Sequence, residues 1–437
     1  MICMGTDSEE TEPCLQFCRR SEKSFVAMAV ALARTRDAEK VTASDVALIF
    51  FTTFLIVCTS TVIKLGSRRL RSYWARTRVV VIGAGPVGLT AALVAARSPF
   101  TSKVVLYEEL SRWGMIRRVQ QIALDSQSVK YLQTLGVDFG NMEGCWGNGC
   151  FFTRIGIFQE YLLSLVEKLK EKVEIKLKTK FSEESVKELV QTRCRTLVLT
   201  CDGIQGESAR LLGLPDQFIQ EPGHAYGAVA LVDRPSQQQV PTAEKRVHRL
   251  VFDLSAYGKD FVPKSPDADG FHLKLFGSYR NRYMCIAIQR SDSSLVKSLR
   301  MVMDPSIMRN IFQESFNVYR TNDESRLTDS AALHHMRFSP RLFEVRLSYR
   351  RESVAFLDEL DAFVVAEGDT SRFFNFNSGM GVNLGLRGIE TLAEFVSVVA
   401  LADTRTAVVD ALREKSQHAL SVSKHYAAHG MQQYMFS

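Results

Sequence analysis

Glycines and acids stand close together at three places in this sequence. The first is Gly83-x-Gly85-x-x-Gly88, with Glu108 twenty residues after its last glycine. Gly83 permits a tight turn, Gly85 lets a pyrophosphate approach the backbone, and Gly88 lets a helix pack closely against a strand. An acid placed like Glu108 can accept hydrogen bonds from ribose hydroxyls. The pattern predicts a dinucleotide site and does not distinguish FAD from NAD.

The elements that must position this motif can also be recognised. Four β-branched residues, Val79 to Ile82, are typical of a buried strand. An alanine-rich helix pattern follows the glycines, and a second strand pattern, KVVLYE, ends at Glu108. Strand, glycine turn, helix, strand and acid make a βαβ unit, in which phosphates bind the free N–H groups at the helix N-terminus.

The second stretch, residues 195–214, reads RTLVLTCDGIQGESARLLGL. A strand pattern leads into Asp202-Gly203, and a serine, an arginine and Leu-Gly follow. This stretch resembles the Asp-Gly motif of the single-component (group A) FAD-dependent aromatic hydroxylases. That family includes p-hydroxybenzoate hydroxylase, the ubiquinone-biosynthesis hydroxylases, kynurenine monooxygenase and the MICAL monooxygenase domain.

The third stretch, GDTSRFFNFNSGMGVNLGLRG, is similar to another motif of this family. A strand pattern, AFVVAE, delivers Gly368-Asp369, and Gly379-x-Gly381-x-Asn383 begins a helix pattern. The resemblance implies that Asp369 binds the ribityl and pyrophosphate region of FAD. It also implies that the N–H groups at the start of the helix face the pyrimidine end of the isoalloxazine and stabilise negative charge there. The part GVNLGLRGIETLAEFV is most similar to the ubiquinone-type hydroxylases.

Two shorter matches extend the resemblance. Arg118, in RRVQQIAL, is similar to a family arginine that reaches toward FAD and the reductant, and Gln159, in IGIFQEYLLSL, is similar to a helix glutamine that contacts the cofactor. Both residues also have an ordinary interpretation. Arg118 fits a solvated charge, and Gln159 fits a polar position on a helix.

The resemblance covers roughly residues 78–400 and implies an α/β fold. We expect a Rossmann-like FAD-binding domain, as in p-hydroxybenzoate hydroxylase, with an inserted, mainly β substrate domain and C-terminal helices. The expected boundaries are 78–217 and 351–400 for the FAD-binding domain, 218–350 for the substrate-covering domain, and 401–437 for a C-terminal helix. In the middle segment we considered His224, Tyr226, His272, Tyr279 and His335 as polar candidates, although packing roles suit them better.

The family implies an NAD(P)H-dependent monooxygenase that inserts one oxygen atom of O₂, through a flavin C4a-hydroperoxide, into an electron-rich substrate. NAD(P)H would bind transiently as the reductant. The sequence departs from the family at Glu109, where arginine is common, and at residues 370–375, TSRFFN, where Ala-Ala-His and prolines are common. Two alternatives therefore stay open: a flavin reductase or dehydrogenase on the same fold, and a non-catalytic FAD-binding scaffold module. Catalytic residues are not identified.

Composition excludes other classes of function. The formal net charge of +7 is modest, and basic residues do not alternate with aromatic ones in a long run, so no nucleic-acid partner is expected. The nine cysteines are odd in number and include no CxxC pair, which indicates reduced thiols rather than disulfides. No histidine and cysteine spacing predicts a metal site.

Residues 46–63, VALIFFTTFLIVCTSTVI, are eighteen residues without a charge, near the lower limit for a membrane span. An acid precedes them and a basic linker at 64–77 follows, so the positive-inside rule predicts a single-pass anchor with the catalytic part facing the cytosol. Residues 1–45 would form a polar tail. A membrane anchor would favour a lipophilic small-molecule substrate. A buried helix or an uncleaved targeting segment would explain the same stretch.

Overall fold

The structure is a computed structural model of the 437-residue chain. It describes residues 51–55, 57–59, 76–118, 120–190, 194–235, 237–258, 270–289, 292–374, 379 and 381–436. The chain forms two compact units, Met1–Tyr73 and Trp74–Ser437.

The first unit contains the predicted membrane span. Residues 51–55 and 57–59 are helical with exposed side chains; the rest of 46–63, the predicted tail 1–45 and most of the predicted linker 64–77 lie outside the described residues. No helix in the described ranges is both long and apolar enough to cross a bilayer. The predicted single-pass, cytosol-facing anchor is therefore wrong.

The described residues show one physical reason, which is polarity. They include threonines, one of which, Thr59, donates its hydroxyl proton to the Leu55 carbonyl at 2.7 Å. The expectation of a lipophilic substrate depended on the anchor and loses its support with it.

The second unit contains all the strands that the described residues form. In chain order they are β1 (Thr77–Ile82), β2 (Thr101–Glu108), β3 (Gln121–Leu124), β4 (Cys145–Gly147), β5 (Cys150–Arg154), β6 (Val173–Leu177), β7 (Thr196–Thr200), β8 (Ile219–Asp233), β9 (Lys245–Leu250), β10 (Phe271–Gly277), β11 (Asn281–Gln289), β12 (Met336–Phe338), β13 (Phe343–Arg350), β14 (Val354–Leu357), β15 (Ala362–Ala366) and β16 (Arg372–Phe373).

The α-helices of this unit surround the strands. In chain order they are α1 (Pro86–Arg97), α2 (Arg112–Ile116), α3 (Ser126–Thr134), α4 (Ile155–Glu167), α5 (Glu183–Val190), α6 (Ser208–Leu211), α7 (Ser294–Met301), α8 (Pro305–Tyr319), α9 (Asp329–His335), α10 (Gly381–Ile389), α11 (Leu392–Leu401) and α12 (Arg405–Phe436). Short 3₁₀ turns lie at Phe139–Asn141, Asp216–Phe218, Ser255–Tyr257, Asp358–Leu360 and Gly368–Thr370.

The first sheet has the order β14-β15-β7-β1-β2-β6 and is parallel except for β14. Both of its faces are covered, which is why residues 79–82 of β1 are all β-branched. Val79 and Val81 pack into the core that contains α1, and Val80 packs into the core on the opposite face. The unit β1-α1-β2 is the βαβ unit that the sequence predicts.

The second sheet has the order β16-β13-β8-β11-β10-β9, with β12 also paired to β8, and its pairings are antiparallel. A small third sheet, β3-β5-β4, is also antiparallel. The predicted α/β architecture, with a Rossmann-like part, a mainly β part and C-terminal helices, is confirmed. The residue boundaries of the domains stay predictions.

Candidate functional site

One cavity of about 810 Å³ brings the three glycine-rich stretches together. Eleven of the thirteen predicted binding residues line it, and the other two, Gly88 and Asn383, do not. The eleven are Gly83, Gly85, Glu108, Arg118, Gln159, Asp202, Gly203, Gly368, Asp369, Gly379 and Gly381. Stretches almost 300 residues apart in the chain therefore form the walls of a single site.

The first glycine turn is shaped by close backbone packing. Gly83 has φ +97°, and a Cβ there would lie 2.5 Å from the Cys201 carbonyl oxygen. A Cβ on Gly88 would lie 1.9 Å from the Gly83 carbonyl oxygen, so Gly88 is a packing glycine. A Cβ on Gly85 would meet nothing within 4 Å. Gly85 is thus the glycine that leaves open space at the cavity, at the N-terminus of α1.

Glu108 holds this turn in place. Its Oε2 accepts a hydrogen bond from the Ala84 N–H at 2.6 Å, and its Oε1 accepts one from the Leu110 N–H at 2.8 Å. Gln159, which is 1 % exposed, donates from Nε2 to the Ala84 carbonyl at 2.9 Å. A carboxylate has about four lone-pair sites, so Glu108 can still accept from a ribose hydroxyl. Gln159 is therefore an anchor of the turn and not a solvated helix residue.

The Asp-Gly loop is tied to the third motif through Thr370. The Asp202 Oδ2 accepts from the Ser208 N–H at 3.0 Å. The Gly203 N–H donates to the Thr370 hydroxyl at 3.0 Å, and that hydroxyl lies 3.3 Å from the Asp202 Oδ1. Thr370 is one of the departures from the family pattern, and the contact gives it a structural role. Gly203 has φ +86°, and a Cβ there would meet nothing within 4 Å, so it also leaves room at the cavity.

Asp369 and Arg118 both line the cavity and influence each other electrostatically. Enclosure by the protein raises the pKa of Asp369 to about 6, and the charge of Arg118 opposes this effect only in part. Solvent still reaches the Asp369 side chain through the cavity. Burial lowers the pKa of Arg118, and Asp369 and Glu108 counteract that shift. The cavity wall therefore carries an acid and a guanidinium whose charges partly offset each other's burial.

Asn383 supports the site from outside the cavity. It is 3 % exposed, accepts from the Asp125 N–H at 3.1 Å through Oδ1, and donates from Nδ2 to the Ala123 carbonyl at 2.8 Å. The Ala123 N–H donates in turn to the Gly379 carbonyl at 2.8 Å. These bonds fix the start of α10 against β3, and Gly379 and Gly381 are thereby held at the cavity wall.

A buried charge cluster lies directly behind the Gly368-Asp369 turn. Glu367 is fully buried; its Oε2 accepts from Arg372 Nη1 at 2.9 Å, and its Oε1 lies 2.7 Å from Lys415 Nζ. Lys415 also donates to the Gly388 carbonyl at 2.8 Å. Sequence reasoning missed this cluster because each charge reads as an exposed polar residue. Glu367, an acid at the end of a strand pattern, was the feature of the sequence that could have indicated this cluster.

The polar candidates of the middle segment lie elsewhere. None of the five lines the cavity among the described residues. His224 contacts Glu221 and Glu344, and the Tyr226 hydroxyl accepts from Arg300 Nη1 at 3.0 Å. These contacts fit the packing roles that were preferred for them.

The fold is shared with solved structures of low sequence identity. p-Nitrophenol 4-monooxygenase PnpA from Pseudomonas putida DLL-E4 is similar with a TM-score of 0.51 and 16% identity, over 83% of this chain and 90% of that one. The Diels-Alderase PyrE3 of pyrroindomycin biosynthesis has a TM-score of 0.50 and 11% identity, over 80% and 73%. CtdE in complex with FAD is more loosely similar, with a TM-score of 0.48 and 13% identity over 83% and 97%.

No protein-family model matches the sequence, and no curated protein matches it significantly. The resemblance to ubiquinone-type and MICAL-like hydroxylases in particular stays a prediction. The likeness to PnpA is one of fold: this chain has the fold of that monooxygenase structure, which agrees with the predicted fold class.

Proposed function

We propose that this chain is an FAD-dependent oxidoreductase and that its reaction is an NAD(P)H-dependent monooxygenation. The observation that carries the proposal is the single cavity into which all three motifs converge. Its volume of about 810 Å³ lies in the range of roughly 300–1,000 Å³ that is usual for ligand pockets. The open space at Gly85 and Gly203, where side chains would otherwise project, suits a cofactor that approaches the backbone closely.

The residues present fit FAD at each part of the site. The N-terminus of α1 at Gly85 would hold the pyrophosphate, because the helix dipole and unpaired N–H groups favour an anion there. Glu108 would accept from the adenosine ribose, and Asp369 would bind the ribityl region. The start of α10, at Gly381, would face the pyrimidine end of the isoalloxazine.

FAD, when bound, supplies the redox chemistry that connects NAD(P)H and O₂ to an electron-rich substrate. The chain would orient the cofactor, with Asp369 and Arg118 on the cavity wall. PnpA is named as a monooxygenase and PyrE3 as a Diels-Alderase, so the fold supports more than one reaction. The test must therefore measure electron transfer directly. It must distinguish a monooxygenase from a flavin reductase and from a non-catalytic scaffold module.

The full-length chain, loaded with FAD, should be mixed without oxygen with NADPH and, separately, NADH, each with and without phenol. We expect the flavin absorbance to bleach, and to return when air is admitted. Oxygen-18 from labelled O₂ should then appear in a hydroxylated product. Bleaching with release of hydrogen peroxide alone would favour the reductase, and loaded protein that neither reductant bleaches would contradict the proposal.

A further inference from the structure

The Thr370 side chain joins two of the stretches that form the cavity, although the described residues that line the cavity do not include it. Its hydroxyl oxygen accepts from the Gly203 N–H at 3.0 Å. Its proton has two acceptors within reach, the Gly203 carbonyl at 3.1 Å and the Asp202 Oδ1 at 3.3 Å. Thr370 is only 7 % exposed, so one buried hydroxyl serves both backbone groups of Gly203 and the neighbouring carboxylate.

Gly203 is the point at which this contact affects the cavity. The residue lines the cavity with φ +86°, and the space beside it is empty, since a Cβ there would meet nothing within 4 Å. A glycine by itself has access to many backbone conformations. The two hydrogen bonds to Thr370 select one of them, and in that conformation the open face of Gly203 lies at the cavity.

Arg350, the last residue of β13, holds Thr370 in place. It is 6 % exposed, its Nε donates to the Thr370 carbonyl at 3.0 Å, and its backbone N–H donates to the Ser371 carbonyl at 2.8 Å. The two remaining nitrogens of the guanidinium bind the stretch after α6, with acceptors at 3.1, 3.2 and 2.8 Å: the Leu214 carbonyl, the Pro215 carbonyl and the Asp216 Oδ1. Because a guanidinium presents its donors in fixed directions, Arg350 sets the position of both segments at once.

These contacts attach the Asp-Gly stretch to the Gly-Asp turn at two points. Thr370 binds the start of the stretch at Asp202 and Gly203, and Arg350 binds its end at residues 214–216. Between them, the Ser208 N–H at the start of α6 donates to the Asp202 Oδ2 at 3.0 Å. A loop fixed in this way before a ligand arrives loses less conformational freedom on binding, and the ligand binds more tightly for that reason.

We propose that Thr370, supported by Arg350, is a positioning residue for the cofactor: its hydroxyl holds the Asp-Gly loop in the binding conformation before the cofactor enters. Residue 370 lies in the segment where the sequence departs from the family pattern, and the proposal gives that departure a function. The inference rests on the proposed function only in taking the cofactor to be FAD.

Hydrogen exchange of the FAD-free, full-length chain, resolved at the Gly203 amide, tests the proposal directly. The amide should exchange slowly in the wild type, because it donates to a buried hydroxyl. Thr370→Val removes the hydroxyl and should accelerate that exchange roughly 10-fold or more. It should also weaken FAD binding roughly 3- to 10-fold in a fluorescence titration, the effect of one hydrogen bond. Thr370→Ser retains the hydroxyl and should retain both properties.

Thr153→Val is the matched control. Thr153 is also a buried threonine, 2 % exposed, and it donates to the Glu143 carbonyl at 2.7 Å, away from the residues that line the cavity. Its replacement should leave Gly203 exchange and FAD affinity unchanged. Arg350→Lys, which loses the fork of donors, should accelerate Gly203 exchange, whereas Met in place of its exposed neighbour Arg351 should not.

Three results would overturn the proposal: fast exchange at Gly203 in the wild type, unchanged exchange in Thr370→Val, or equal loss of FAD affinity in Thr370→Val and Thr153→Val. The first needs no variant, so it decides even where a substitution prevents folding. The exchange measurement uses neither reductant nor oxygen. Slow exchange that depends on Thr370, in a protein that NAD(P)H never reduces, would support the positioning role while contradicting the monooxygenase.

Discussion

Replacing Lys415 with methionine should destabilise the protein far more than the same replacement at Arg413. Both residues lie on α12 and pair with a carboxylate: Lys415 Nζ lies 2.7 Å from Glu367 Oε1, and Arg413 Nη1 lies 3.0 Å from Asp410 Oδ1. They differ in environment. The Lys415 side chain is 1% exposed and that of Arg413 is 62% exposed.

The magnitude follows from burial. Removing one member of a buried ion pair costs about 3–5 kcal/mol, because the remaining charge stays desolvated. Glu367 keeps Arg372 as a second partner, so we expect about 3 kcal/mol, the lower end of that range. Burial alone would raise the pKa of Glu367, but Lys415 and Arg372 hold it below its ordinary value. The exposed Arg413 pair should contribute less than about 1 kcal/mol.

Urea unfolding of the FAD-free, full-length variants measures this difference in the free energy of unfolding. The contribution of Lys415 should be complete above the unfolded-state pKa of glutamate, about 4.3, and should be lost as the pH falls through the lower folded-state pKa of Glu367. The gap between wild type and Lys415→Met should therefore narrow in acid. Equal stabilities of Lys415→Met and Arg413→Met at neutral pH would refute the reasoning.

Further predictions concern the glycines and the polar residues around the cavity. Gly88→Ala should destabilise the FAD-free protein by about 3 kcal/mol in urea unfolding, since its methyl group would overlap the Gly83 carbonyl. Gly85→Ala should change that stability by less than about 0.5 kcal/mol but weaken FAD binding in a fluorescence titration, since its methyl group meets only the cavity. Asp369→Asn should stabilise the FAD-free protein at pH 8, because the folded-state pKa of about 6 penalises the ionised acid; the gain should fade as the pH drops through 6 toward about 3.9. Asn383→Ala should cost about 2 kcal/mol in the same unfolding assay, since two buried backbone groups lose their partner.

The βαβ unit and eleven residues of the cavity lining could be predicted from the sequence. A glycine such as Gly83 is required by the conformation of its own turn, and consecutive β-branched residues indicate strand β1. The resemblance of the Asp202-Gly203 and Gly368-Asp369 stretches to family motifs then implied that both acids lie near that turn. The strand and turn signals are visible in the sequence itself, whereas the placement of the two acids depended on the resemblance.

Contacts between distant segments could not be predicted in this way. Tyr283 reaches the cavity through the register of β11 against β10 and β8, which no short pattern specifies. Lys415 belongs to a helix pattern with polar faces, and only packing of α12 against the first sheet's edge brings its charge to Glu367. Asn383 was expected to bind the cofactor; its amide instead hydrogen-bonds the backbone next to the site.

The membrane-anchor prediction was wrong for a different reason. A run of residues without a charge can still carry polar side chains. The described helical residues, 51–55 and 57–59, include three of the segment's threonines, whose hydroxyls can bond to the helix backbone.

Titration of FAD into the FAD-free, full-length chain is the most direct test of the central claim that the three motifs form one cofactor site. The account predicts saturable binding of one FAD per chain, with quenching of flavin fluorescence, and clear weakening in Gly85→Val although the FAD-free variant stays folded. An absence of saturable binding, or binding that Gly85→Val leaves unchanged, would contradict it.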